Sequence, residues 1–255
     1  MPTTVPLVSE GTDPTPLARA AIVDPCFWTP ALPALYEVNV ELTYPGRSPV
    51  TVHRLAGIRT LVVKNKSLLL AGQRVVLRGG VPPLCTPEEA DISMSPEVRD
   101  TWRGQHLAMW FPEPADSICQ WASQQGIWIV ANLTSAGVVD LEGVTRRLLQ
   151  WPAVAMVVLT SDQLNRLGRS RPPYGLLAVL VNDDRPDVGA DQADVILLDV
   201  DRCTDSISFA IHCPLPVVAW RSSQSFRDPV AVRRACEELQ GELAPDVDLA
   251  GYLVS

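Results

Sequence analysis

The chain has 255 residues, 47% of them hydrophobic, and its 21 Lys and Arg against 29 Asp and Glu give a formal net charge of −8. This length holds one large domain, or one medium-sized domain with a small appendage. The acidic balance, without any basic stripe, argues against nucleic acid and against an anionic membrane surface as partners.

The N-terminal region predicts no targeting or anchoring segment. Residues 1–17 are polar and proline-rich, which is typical of a flexible lead-in, and they lack the basic and apolar segments of a secretory signal. No stretch is long and apolar enough to span a bilayer. Six scattered cysteines without a CxxC pair indicate buried free thiols in a reducing cytoplasm (Cys26, Cys85, Cys119, Cys203, Cys213 and Cys236). We therefore expect a cytoplasmic protein without a metal site or cofactor, since the three histidines also lie far apart.

Residues 18–72 predict a small all-β module. Apolar and polar residues alternate over 35–42, which is the period of a half-buried strand. The sequence YPGRSP at 44–49 is a turn, and one or two strands follow in 50–63. A hairpin is predicted around Ala71-Gly72.

Residues 73–255 predict a compact α/β barrel. Eight apolar segments are strand candidates (74–79, 106–111, 127–133, 153–160, 175–182, 194–200, 216–220 and 248–254). Their continuous apolar character is typical of parallel strands buried on both faces. Helical patterns with capping signals lie between them, at 114–126, 140–151 and 228–241. We predict a degenerate (β/α)8 barrel in which several connections are single turns. An open doubly wound sheet is the alternative, although no glycine-rich loop follows the first strand.

A proline- and aromatic-rich segment, DPCFWTPALPALY at 24–36, precedes the first clear strand. It resembles the D-P-x-x-W-(S/T)-P-x-x-P-x-L-Y segment of glycoside hydrolase family 2, the β-galactosidase and β-glucuronidase group. The stretch 56–80 is similar to the passage of that family in which the immunoglobulin-like domain ends and the barrel begins. The matching residues are Asp24, Pro25, Trp28, Pro30, Pro33, Leu35, Tyr36, Gly57, Arg59, Gly72, Leu77, Arg78 and Gly79. The resemblance implies a partial β-sandwich followed by a TIM-like barrel, with Trp28 and Tyr36 as structural aromatics at the junction.

The resemblance also implies where catalytic groups should lie. Family members use two glutamates, a general acid and a nucleophile, held ~5 Å apart. At the acid position this chain has Ser161-Asp162, so Asp162 is a weak candidate acid, or else an exposed cap of a short helix. At the nucleophile position stands Arg221, which cannot attack an anomeric carbon. The acidic pair of the third strand is replaced by Ala131-Asn132.

These departures predict a family-2-like protein that is catalytically inactive and acts as a carbohydrate-binding or scaffold protein. The candidate ligand contacts are Trp110, Arg78 and Asn132, with core packing as the alternative for Trp110. The competing hypothesis is an active retaining O-glycosyl hydrolase in carbohydrate metabolism, in which Asp162 acts with Asp199 or Asp183.

Two further expectations concern the surface. Asp199, Asp201 and Asp205 near one strand end are either a cation site or, as we favour, loop solvation and helix caps. The sandwich remnant is expected to be too small to close on itself, which leaves a strand edge open. We therefore predict a homo-oligomer, or a partner that completes the sandwich.

Overall fold

A computed structural model describes residues 8–9, 18–19, 21–43, 45–82, 96–135, 137, 139–172, 174–182, 192–223, 226 and 228–255. Before the barrel come three small antiparallel sheets. The first pairs β1 (Val8–Ser9) with β2 (Ala18–Arg19), and the second pairs β3 (Tyr36–Leu42) with β4 (Val50–Ala56). The third is a meander of β5 (Leu61–Lys64), β6 (Ser67–Leu70) and β7 (Gln73–Val75).

The predicted hairpin around Ala71-Gly72 is confirmed. Ala71 and Gly72 have φ values of 49° and 80°, and they connect β6 to β7. Asn65 and Lys66, with φ values of 49° and 61°, make the turn between β5 and β6 in the same way. Two successive residues with positive φ are the mark of a type I′ turn, whose twist matches that of the flanking strands.

Eight parallel strands form a closed barrel, in agreement with the predicted fold class. They are β8 (Leu77–Gly80), β9 (Ala108–Pro112), β10 (Ile129–Asn132), β11 (Val154–Leu159), β12 (Leu176–Val181), β13 (Val195–Asp199), β14 (Val217–Arg221) and β15 (Gly251–Val254). The helices are α1 (Pro96–Gly104), α2 (Asp116–Gln125), α3 (Leu141–Leu149), α4 (Ser161–Leu167), α5 (Ser206–His212) and α6 (Pro229–Leu243). Each strand pairs with its neighbours in chain order, and β15 closes the ring against β8.

The pairing register divides the barrel residues into two faces. Paired residues of parallel strands point to the same side, and successive residues point to opposite sides. Asp199, Trp220, Leu253 and Gly79 therefore share one face, through the pairs Asp199 with Trp220, Trp220 with Leu253, and Leu253 with Gly79. This face is the lumen, because Arg78, which points the opposite way from Gly79, reaches Gln240 of helix α6. Trp110 belongs to the same face, because it is two residues beyond Ala108, which pairs with Gly79. Residues of the other face, such as Arg78, point to the helices outside.

Helix ends follow the predicted signals with two corrections. Asp140 caps α3 by accepting a hydrogen bond from the Gly143 amide at 2.9 Å, as predicted. Gly126 ends α2 with φ 71°, and a Cβ there would lie 2.3 Å from the Pro30 carbonyl oxygen. Gly241, predicted as the end of the last helix, lies inside α6. The cap of α4 is Thr160, which forms a capping box with Gln163, and not Asp162.

The proline- and aromatic-rich segment anchors the β-sheets to the barrel. Trp28 is fully buried, its Nε1–H donates to the Ser123 carbonyl oxygen of α2 at 2.7 Å, and its ring meets Trp128 edge-on at 4.9 Å. Tyr36 accepts a hydrogen bond from the Cys26 amide at 2.6 Å, which holds the loop against β3. Both aromatics therefore have structural contacts, as the sequence predicted.

A second anchor lies at the start of the barrel strand β11. Arg59 Nη1 donates to the carbonyl oxygens of Pro152 and Val154 at 2.6 and 2.5 Å. Its guanidinium also lies over the Trp128 ring at 5.5 Å from the centroid. Burial lowers the pKa of Arg59 to about 10. Gly57 approaches Pro152 so closely that a Cβ would lie 2.5 Å from that ring. Two residues of the family-like motif therefore serve packing at this contact.

None of the cysteines that the structure describes is in a disulfide, as predicted. Four of them are buried (Cys119, Cys203, Cys213 and Cys236). Burial raises the pKa of the Cys119 thiol to about 12 and that of Cys236 to about 11. Cys26 is exposed, contrary to the expectation, and Cys85 lies outside the described residues.

None of the helices that the structure describes is long and apolar enough to cross a membrane.

Candidate functional site: the barrel mouth and an adjacent cleft

Two tryptophans meet inside the barrel near the carboxyl ends of the strands. Trp110 of β9 and Trp220 of β14 stack with ring centroids 5.1 Å apart and an interplanar angle of 18°. Two strands, β15 and β8, lie between β9 and β14 on the shorter way around the barrel. The rings can meet only by crossing the lumen, and Trp110 is 6% exposed. The stack therefore fills the space in which a TIM barrel presents its active site.

Asp199 is a buried carboxylate on the same inner face. It ends β13, is fully buried and pairs in register with Trp220. Its Oδ2 accepts a hydrogen bond from the Ser222 hydroxyl at 3.0 Å, and its Oδ1 accepts one from the Asp201 amide at 3.1 Å. Arg202 Nε lies 3.5 Å from Oδ2. These donors satisfy the carboxylate beside the tryptophan stack.

The two positions that the sequence resemblance aligned with catalytic glutamates lie elsewhere. Asp162 is exposed in the first turn of α4. Arg221 points to the outer face of β14, since Trp220 points inward. There its Nη2 donates to Glu242 of α6 at 2.6 Å, and its Nε lies 3.5 Å from Asp201. The hydrogen bond with Glu242 raises the pKa of Arg221 and lowers that of Glu242, so both groups stay charged.

The other predicted ligand contacts are divided between the two faces. Asn132 lies on the inner face at the end of β10, where its Oδ1 accepts hydrogen bonds from the amide and hydroxyl of Thr134 at 3.0 and 2.8 Å. Arg78 lies on the outer face, and its Nη2 donates to Gln240 of α6 at 2.6 Å. The structure thus brings Asn132 and Trp110 to the lumen and places Arg78 against the helical layer.

The acidic loop after β13 has internal partners. Asp201 Oδ2 accepts a hydrogen bond from the Ser223 amide at 3.0 Å, and Asp205 is the residue before α5. Within the part of the chain that the structure describes, no group of three or more potential ligands is arranged to hold a metal ion. Asp183 lies outside the described residues.

A separate cleft of about 580 Å³ opens beside the barrel, between the β3–β4 ribbon and helices α2 and α3. From the ribbon it is lined by Glu37, Asn39, His53, Arg54 and Leu55, and from the helical side by Asp116, Gln120, Gln150 and Trp151. No barrel strand contributes to it. Sequence reasoning did not identify this cleft. A signal for part of it was present, because Glu37 and Asn39 occupy the polar face of the predicted strand.

No family model matches the sequence, and no curated protein matches it. Solved structures match the fold. β-Glucuronidase from Ruminococcus gnavus in complex with D-glucuronic acid has a TM-score of 0.68 at 13% identity, over 94% of this chain and 53% of that one. β-D-Glucuronidase from Dictyoglomus thermophilum has a TM-score of 0.61 at 13% identity, over 94% and 54%. The enzyme from Parabacteroides merdae has a TM-score of 0.61 at 14% identity, over 93% and 39%.

The chain shares the fold of part of these β-glucuronidases. At this identity the likeness is one of fold alone, and the chain spans about half or less of the length of these enzymes. The shared fold agrees with the predicted combination of small antiparallel sheets and a TIM-like barrel. The solved structures thus support the predicted family-2-like fold and do not assign the chain to that family.

Proposed function

We propose that this glycoside-hydrolase-like barrel is not a hydrolase and that the protein acts as a scaffold in a molecular assembly. The observation that carries the proposal is the Trp110–Trp220 stack across the lumen. A sugar ring bound for hydrolysis needs that space, because barrel enzymes bind substrate at the carboxyl ends of the strands. The neighbours whose fold it shares include a β-glucuronidase that binds D-glucuronic acid.

The charges near the mouth support the same proposal. Retaining hydrolysis needs two carboxyl groups ~5 Å apart, one on each side of the scissile bond. Among the described residues of the barrel strands, Asp199 is the one carboxylate on the inner face. Arg221 is held by Glu242 and Asp201 on the outer face, and Asp162 lies exposed on α4.

We expect no turnover of 4-nitrophenyl β-glucuronide, β-galactoside or β-mannoside above the buffer rate. The measurement is nitrophenolate release by the purified protein, with Asp199→Asn and Asp162→Asn prepared in the same way. Turnover that either substitution abolishes would overturn the proposal. Equal low turnover in all three samples identifies a contaminating hydrolase, because that activity does not depend on either carboxylate.

An active hydrolase with relocated carboxylates is the second candidate, and Asp199 favours it. Its carboxylate is buried on the inner face, where an acid or nucleophile would be needed. Loss of turnover in Asp199→Asn but not in Asp162→Asn would identify this role.

The scaffold role is supported by the β3–β4 ribbon. Val38, Val40 and Leu42 of β3 share one face with Val50 and Val52 of β4. Val38, Val50 and Val52 are 36%, 52% and 51% exposed. A two-stranded ribbon is marginal by itself, and an exposed apolar face is typical of an interaction surface. We propose that a second copy of the chain covers this face.

We expect Val50→Lys with Val52→Lys to shift the protein from dimer to monomer, because two buried charges cannot be paired across such a face. Sedimentation velocity over a concentration series measures the change. The matched control is Thr51→Lys, on the opposite face of the same strand. A wild-type protein that stays monomeric throughout the series would contradict the self-association.

A further inference from the structure

We propose that the cleft between the β3–β4 ribbon and helices α2 and α3 is a binding site for a neutral saccharide. Its volume of about 580 Å³ lies within the range of small-molecule sites, ~300–1,000 Å³. The cleft is separate from the barrel lumen, since none of its lining residues belongs to a barrel strand. The proposal adds a ligand class to the non-hydrolytic function proposed above. Glycoside turnover in the barrel would contradict that function and would leave the cleft site untouched.

Asp116 presents an oriented acceptor to the cleft. Arg147 Nη1 donates to its Oδ1 at 2.9 Å, and Trp151 Nε1–H donates to the same oxygen at 3.0 Å. Both bonds therefore fix the carboxylate through one oxygen. The other oxygen, Oδ2, accepts no hydrogen bond from the described residues and is left for a ligand hydroxyl. Charged acceptors held in this way make stronger hydrogen bonds than neutral ones.

Asn39 presents an oriented donor on the opposite wall. Its side chain and that of His53 face each other across the ribbon, and His53 Nδ1 is in hydrogen-bonding contact with Asn39 Oδ1. Because an amide oxygen only accepts, this contact puts the proton on Nδ1. The Asn39 amide nitrogen then has its two hydrogens available to the cleft.

The remaining lining suits a polyhydroxylated ring. Each sugar hydroxyl both donates and accepts, and the amides of Gln120 and Gln150 can do the same. Leu55 and Trp151 are the apolar residues of the lining and can contact the C–H groups of a ring. Donors, acceptors and apolar surface thus meet in one cleft, as sites for small polar ligands require.

The charge balance selects a neutral ligand. Glu37 and Asp116 each bring a negative charge to the lining. Arg54 brings one positive charge, and its guanidinium lies over the Trp151 ring at 5.9 Å from the centroid. Arg147 pairs with Asp116, so the two carboxylates are balanced by two guanidinium groups and a uronate would meet no excess positive charge.

The test is an NMR titration of the full chain with methyl β-D-glucopyranoside and, separately, methyl β-D-glucuronide. The reporter is the Trp151 indole N–H, assigned by its loss in Trp151→Phe. We expect millimolar glucoside to shift this resonance, and the glucuronide to bind about tenfold more weakly, which is ~1.4 kcal/mol. Gln120→Trp should block the cleft and abolish the shift.

The matched control is Gln124→Trp, which adds the same side chain at an exposed position of α2 that does not line the cleft. This variant should bind the glucoside as the wild type does. Four results would overturn the proposal: no shift with either sugar, a shift that survives Gln120→Trp, shifts confined to Trp110 and Trp220, or tighter binding of the glucuronide.

Discussion

Replacing Trp28 by alanine is expected to lower the free energy of unfolding by about 3–5 kcal/mol. Trp28 belongs to the loop that precedes β3, and its side chain is fully buried against the barrel. The substitution removes its edge-on contact with Trp128 and leaves a cavity at the junction. It also leaves the Ser123 carbonyl oxygen without its indole donor. Urea denaturation followed by circular dichroism measures the effect as a lower midpoint.

Two controls separate packing from hydrogen bonding at this junction. Trp28→Phe retains an aromatic ring but loses the Nε1–H donor. Its free energy of unfolding should therefore lie about 1–3 kcal/mol below that of the wild type. Val139→Ala changes a residue that is 98% exposed and should stay within about 0.5 kcal/mol of wild type. A Trp28→Ala loss no larger than that of Val139→Ala would show that this segment does not anchor the sheets.

The strands were predictable because burial on both faces leaves a simple mark on the sequence. The continuous apolar run at 153–160 became β11 (Val154–Leu159), in which every residue is buried. The alternating run at 35–42 became β3 (Tyr36–Leu42), whose faces differ in polarity. The spacing of apolar residues within one strand was sufficient for these two predictions, because each pattern reflects the environment of that strand alone.

Two helices were not predicted, and their sequences explain why. α1 (Pro96–Gly104) is largely polar, and its apolar side consists of Val98 and Trp102 alone, a pattern too short to stand out in the sequence. α5 (Ser206–His212) is too short for the periodicity to be distinguished from a strand. Both form through contacts supplied by the assembled barrel, which local sequence does not contain.

The filling of the barrel mouth could not be predicted, because it depends on closure of the sheet. The sequence offered Trp110 either as a ligand contact or as core, and it gave no reason to single out Trp220. Their 110-residue separation becomes a 5.1 Å stack only when β9 and β14 face each other across the lumen. The cleft depends in the same way on the register of β3 with β4, which places Asn39 opposite His53.

The second large effect on stability is expected for the stacked pair Trp110 and Trp220, and a double-mutant cycle tests it. Trp110→Ala should cost about 3–5 kcal/mol, because it removes a buried indole from the lumen. Trp220→Ala should cost less, since this side chain is half-buried, although its Nε1–H also donates to Ser255 Oγ at 2.8 Å. The double variant should be more stable than the sum of the single losses implies, by about 0.5–1.5 kcal/mol.

A second cycle provides the control for that coupling. Trp28 packs on Trp128 and α2 outside the lumen, so its substitution and Trp220→Ala should add to within about 0.5 kcal/mol. Equal coupling in both cycles would show that the energies reflect general loosening of the barrel and not the stacked pair. Additivity of Trp110→Ala with Trp220→Ala would contradict the stack itself.

The double variant also separates two physical reasons for the lack of hydrolysis that we propose. Removing both indoles opens the lumen, yet it adds no second carboxylate opposite Asp199. If missing carboxylates are the cause, 4-nitrophenyl glycosides should remain intact when incubated with the folded double variant. If the indoles alone block an otherwise competent site, the variant should gain turnover that a further Asp199→Asn substitution abolishes. We expect the first result, because retaining hydrolysis requires both groups together and one buried aspartate cannot serve as acid and nucleophile at once.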